Sequence, residues 1–151
     1  MSELYFEDLR PGLVFRGINR FRLDTEGLKA FAREFDPQPF HLDEAAAGRS
    51  IFRGLAASGW HTAAITMRLL VTSDFAVAGG LVGLGLEELN WPRPTRPGDE
   101  LRVEVEVLEA RRSRSRPGFG LVRTRTTTLN QDDEIAQQLV NTLIVPCREA
   151  S

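Results

Sequence analysis

Between Leu101 and Ala110 apolar and charged residues alternate, with Leu101, Val103, Val105 and Val107 set against Arg102, Glu104 and Glu106. A period of two belongs to a strand with one dry face and one wet face. The same period begins at residue 81 and returns over 119–129 and 135–145, the last two joined by the turn-forming "NQDDE", which predicts three further strands and a hairpin. Upstream the period lengthens. Leu28, Phe31, Ala32 and Phe35 follow the i, i+3, i+4, i+7 rule behind Asp24 and Thr25, either of which can cap a helix with one buried face. Pro37 and Pro39 end that helix and bias Asp36 and Gln38 toward an extended loop. "LDEAAAG" then reads as a short helix capped by Asp43 and stopped by Gly48. Residues 55–73 are small or apolar on almost every side, with Arg68 the only charge, so they predict a long helix in the middle of a domain. "LVFRGINRFR" at 13–22 predicts a first strand. The elements imply an α+β chain whose antiparallel sheet curves around one apolar helix.

Bulk properties narrow the class. A chain of 151 residues with 42% hydrophobic content is expected to form one domain, residues 1–151, around one core. A formal charge of −2 argues against nucleic acid, whose phosphates call for an excess of Lys and Arg. The exception is "RRSRSR", with Arg111, Arg112, Arg114 and Arg116 near a strand end. Such a run could meet an acidic group, but is more often a solvated edge that discourages strand pairing. The start "MSELYFEDLRPG" lacks the basic-then-apolar pattern of a signal peptide. "FAVAGGLVGLGL", the most apolar window, is far shorter than the ~20 residues of a bilayer span. A cytoplasmic protein that engages no membrane is the expectation. Cys147 is the single cysteine, so no internal disulfide can form.

Two places could carry chemistry. Asp36 and His41, one of only two histidines, flank a proline-rich bend. If the bend brings them together, an imidazole and a carboxylate can share one water and pass protons through it. The residues alone leave a plainer reading open, in which Asp36 ends one helix and His41 caps the next. Gly59, in "AASGWHT", stands near the start of the apolar helix. Unpaired N–H groups there attract negative charge, and a glycine allows a carbonyl oxygen to come close; on the residues alone, helix packing against a tight neighbour explains the glycine better. His61 reads as a half-buried helix residue. Gly80, Gly83 and Gly85 lack the dinucleotide fingerprint, Ser58 lacks a nucleophile elbow, and two lone histidines make no metal motif. No metal site is predicted.

At this point the sequence resembles the MaoC-like acyl dehydratases, or (R)-specific enoyl-CoA hydratases, of the hot-dog fold. The family pattern D-x-N-P-x-H-x-D is met by Asp36-Pro37-Gln38-Pro39-Phe40-His41-Leu42-Asp43. Phe52 and "LAASG" stand where the family has an aromatic residue and an apolar His-Gly, and Trp91, Pro94, Gly98 and Asp99 match its F-x-x-P-x-x-x-G-D. The likeness runs from about residue 5 to 146. It implies a single hot-dog domain, a sheet wrapped around a long central helix. It also implies hydration of a 2-enoyl thioester, or the reverse, with Asp36 and His41 binding the water and the Gly59 amide holding the thioester oxygen. Gln38, Phe40, Ser58, Trp60 and Met67 fall at substrate-binding positions. Gln38 replaces an asparagine, Ser58 a histidine, and Met67 a serine found in some hydratases. The implied substrate is an acyl thioester of coenzyme A or of an acyl carrier; no cofactor beyond that coenzyme A is expected, and the partner is a second copy in a homodimer. A hot-dog thioesterase and a non-catalytic acyl-thioester binding module are the alternatives.

Overall fold

The alternating stretches form one antiparallel sheet. In the computed structural model, which describes residues 3–149, the elements run β1 (Val14–Arg16), β2 (Phe21–Arg22), α1 (Thr25–Phe35), α2 (Glu44–Gly48), α3 (Gly59–Val71), β3 (Val82–Asn90), β4 (Glu100–Arg112), β5 (Phe119–Leu129) and β6 (Ile135–Pro146). The sheet order is β1-β4-β5-β6-β3, and β2 also pairs with β4. Leu101, Val103, Val105 and Val107 point inward and are at most 2% exposed. Leu101 and Val103 pack with Leu28 of α1 and with Ile65 and Leu69 of α3. Val105 and Val107 pack with Leu70, Phe75, Val122 and Val145. Each such side chain contributes about 1.5–3 kcal/mol by leaving water, which fixes the register, since a slip of one residue would turn the charged set inward. Bulges at Val107/Glu109, at Thr128/Leu129, and twice in β3 increase the local twist. The result is the hot-dog architecture, a curved sheet around α3.

Four expectations are corrected. The strand expected over 13–22 is split, because Gly17 still donates to Val103 O at 2.9 Å but Ile18 turns out to solvent and is 88% exposed. The helix expected over 55–73 begins only at Gly59 and ends at Val71. Residues 55–58 are held extended, with Ala57 N–H donating to Thr95 O at 2.9 Å and Ser58 serving as the N-cap. Nor is α3 covered all round, since Trp60, Met67 and Val71 are each more than half exposed. Finally Phe35 leaves the buried stripe of α1 and lies 65% exposed, whereas Leu28 and Ala32 are fully buried.

Candidate active site

Two consecutive turns shape the bend at the end of α1. Asp36 is the C-cap, its N–H donating to Ala32 O. The Gln38 N–H donates to Asp36 O at 2.8 Å, and a 3-10 turn over Pro39–His41 follows, closed by His41 N–H to Gln38 O at 3.0 Å. The prolines supply fixed φ angles and no competing donors. Asp43 then caps α2, accepting from Ala46 N–H at 2.8 Å. This path brings His41 Nε2 to 3.3 Å from Asp36 Oδ2. His41 is 4% exposed, and its Nδ1 lies 2.5 Å from Ala56 O. A carbonyl can only accept, so Nδ1 carries a proton and, in the neutral ring, Nε2 presents a lone pair. Gln38 Nε2 donates to the other carboxylate oxygen, Asp36 Oδ1, at 2.6 Å. Burial works against ionisation of Asp36, but the Ser58 hydroxyl, the Gln38 amide and the imidazole of His41 together outweigh it and hold the carboxyl below its usual range. Asp36 Oδ2 and His41 Nε2 thus face one another, an arrangement in which a carboxylate and an imidazole can exchange a proton with a bound water.

Across the cavity, α3 presents its N-terminus. The Ser58 hydroxyl accepts from Trp60 N–H at 3.3 Å, and among the described residues the Gly59 N–H has no partner. The Trp91 indole covers this glycine so closely that a Cβ at residue 59 would lie 2.7 Å from the ring. Asp36, His41, Gly59 and Trp91 enclose a cavity of about 340 Å³, with Phe40, Phe52 and Trp60 as further aromatic walls and Thr62 and Thr95 at its inner side. Aromatic walls thus stand beside the polar groups, Phe40 with its ring 4.7 Å from that of His41 and Trp91 against Gly59, and Arg93 adds a cation to the lining. Among the described residues no group of three or more His, Cys, Asp or Glu side chains could hold a metal ion.

Of the residues singled out in the sequence, Asp36, Gln38, Phe40, His41, Gly59 and Trp60 all line this cavity. Ser58 lies behind it, fully buried. Met67 does not line it: seven residues beyond Trp60, on the same side of α3 and two turns on, it sits half exposed. His61 stacks flat on Phe31, with ring centroids 4.4 Å apart. "RRSRSR" lies where β4 passes into β5, and none of its arginines lines the cavity. Sequence reading missed Arg96, whose guanidinium donates to the carbonyls of Phe52, Gly54 and Leu55 and so clamps the chain between α2 and α3. Its partners are more than 40 residues distant, and nothing local announces them. Trp91 was visible as a motif position but not as a wall of the site.

The sequence model of the MaoC like domain matches residues 10–130. The chain belongs to the MaoC-like dehydratase family. The solved MaoC-like dehydratase from Rhodospirillum rubrum is 55% identical and superposes with a TM-score of 0.92, covering 97% of this chain and 99% of that one. A 3-hydroxybutyryl-CoA dehydratase of Methylorubrum extorquens is 36% identical over 107 residues, which is 70% of this chain and 65% of that protein. The solved (R)-hydratase from A. caviae is 26% identical with a TM-score of 0.73, covering 93% of this chain and 99% of that one.

Proposed function

We propose that this MaoC-like protein is a hydro-lyase that adds water reversibly to a 2-enoyl thioester, on coenzyme A, to give the 3-hydroxyacyl thioester. The observation that carries the reading is the 3.3 Å approach of His41 Nε2 to Asp36 Oδ2 on a cavity that also exposes the Gly59 N–H. A water bound by this pair directs one O–H at it, keeps the other, and turns a lone pair toward the substrate. As its oxygen bonds to Cβ, one proton passes to the Asp36/His41 pair and a proton returns to Cα, so the step is redox-neutral. Charge builds on the thioester oxygen, and a fixed N–H aimed there stabilises the transition state more than the ground state. The aromatic walls suit an acyl chain.

The pattern of exposed apolar residues supports a homodimer as the working form. The edge strand β3 exposes Val82, Leu84 and Leu86, each more than half accessible, and α3 exposes Met67 and Val71 to the same degree. An apolar edge strand left open invites pairing, and a second copy of the chain is the proposed cover.

The test follows loss of enoyl absorbance across short, long and branched 2-enoyl-CoA substrates, with a thiol reagent in parallel. Absorbance loss without thiol release is expected, falling about 10²–10⁴-fold in Asp36→Asn and in His41→Ala. Thiol release would identify a thioesterase instead, and binding without turnover a binding module.

A further inference from the structure

Gln137, on β6, is completely buried, far from where a polar amide is cheap to place. Its hydrogen bonds leave no freedom in how it sits. The Trp91 indole can only donate, and its Nε1 lies 2.8 Å from Gln137 Oε1, so the amide oxygen must face the indole. The amide nitrogen then faces inward and donates to Thr66 Oγ1 at 3.1 Å. Thr66 in turn donates to Thr62 O at 2.8 Å, which leaves Thr128, 2.6 Å away, as a donor to Thr66. Each member is satisfied in one arrangement alone. This chain of bonds starts in the middle of α3, crosses to the sheet and ends on a single side chain of the cavity, the indole that lies against Gly59. Phenylalanine, the residue of the family pattern at position 91, offers no N–H and would leave Gln137 Oε1 unpaired.

We propose that Gln137 is a positioning residue: by latching Trp91 to the buried Thr66–Thr128 pair, it holds the indole against Gly59 and so fixes the wall along which the thioester must lie for its oxygen to meet the Gly59 N–H. The catalytic part of this statement rests on the hydro-lyase reading, whereas the latch itself does not. Misplacement of reacting groups by about 1 Å can cost 10²-fold in rate. Loss of the latch is therefore expected to lower kcat more than it raises KM.

The experiment compares Gln137→Leu, Trp91→Phe and the double variant. Trp60 and Trp91 are the only tryptophans, so a Trp60→Phe background makes Trp91 the sole emitter. There Gln137→Leu should shift the Trp91 emission and lower its anisotropy. In the natural background each single variant should lose about tenfold in kcat on crotonyl-CoA, and the double variant no more than the worse single, because coupled residues are not additive. Unchanged anisotropy and kcat in Gln137→Leu, or losses that multiply in the double variant, would overturn the proposal. Trp91→Phe, which removes an N–H from a residue 39% exposed, keeps the test open if Gln137→Leu fails to fold. If the unaltered protein turns over no enoyl-CoA, the hydro-lyase reading fails by itself. The latch is then judged by anisotropy and by butyryl-CoA affinity, expected to fall about tenfold; unchanged values in both would overturn it.

Discussion

Asp36 and His61 are buried to different ends. For Asp36 the folded state favours the charged form, because, against desolvation, the Ser58, Gln38 and His41 contacts hold its pKa below the ordinary 3.8. That stabilisation is present above the ordinary carboxylate range and is lost only as pH falls through the lower folded value. His61 is the opposite case. Burial pushes its pKa below the ordinary 6.5, and among the described residues its Nδ1 is buried without a partner. The unfolded chain takes up that proton more readily than the folded one, so stability is full above about pH 6.5 and declines as pH falls from there toward the folded value. His61→Phe keeps the stacking on Phe31 and removes both the orphan nitrogen and the titration. Urea unfolding at a series of pH values should show equal or greater stability for the variant at pH 8, and a smaller loss than the natural protein between about pH 6.5 and 5. The sequence predicts a half-buried helix histidine; in the structure it lies on α3 but is 8% exposed, with Nδ1 unpartnered.

At the level of elements, the start of α3 joins packing to chemistry. Alanine favours a helix over glycine by about 0.5–1 kcal/mol, so Gly59→Ala would stabilise an isolated α3. Here the added methyl meets the Trp91 ring at 2.7 Å, and overpacking of that kind costs about 1–3 kcal/mol. Gly59→Ala is therefore expected to destabilise the natural protein in urea unfolding and to stabilise a Trp91→Ala background, a reversal of sign that no propensity argument yields. The same element shows where periodicity misleads. Residues 55–58 share the small, apolar character of the helix that follows, yet the carbonyls of Phe40 and Thr95 accept the Ala56 and Ala57 N–H groups and hold this segment out of the helix. Hydrogen-bond partners from distant parts of the chain override a local preference worth only tenths of a kcal/mol per residue.

For the whole molecule, the alternation in β4, β5 and β6 was enough to foresee an antiparallel sheet, and the apolar run in α3 enough to foresee what it wraps. The exposed stripe on β3 adds a prediction at this scale. Light scattering should give twice the chain mass for the natural protein. Leu84→Glu with Leu86→Glu should give the single mass, because the paired carboxylates would have to be desolvated to enter an apolar interface. A dimer that survives both substitutions would place the contact elsewhere. The sequence by itself determined most of the element types, the inward set of β4, the proline-shaped bend and the family to which Asp36-Pro37-Gln38-Pro39-Phe40-His41 belongs, because these follow from local periodicity and from motifs a few residues long. Only the tertiary structure decided that Asp36 and His41 meet at 3.3 Å, that Trp91 closes over Gly59, that Met67 stays outside the cavity lining, and that Arg96 and Gln137 hold the walls. Those depend on contacts between residues many positions apart, whose partners and distances no local pattern encodes.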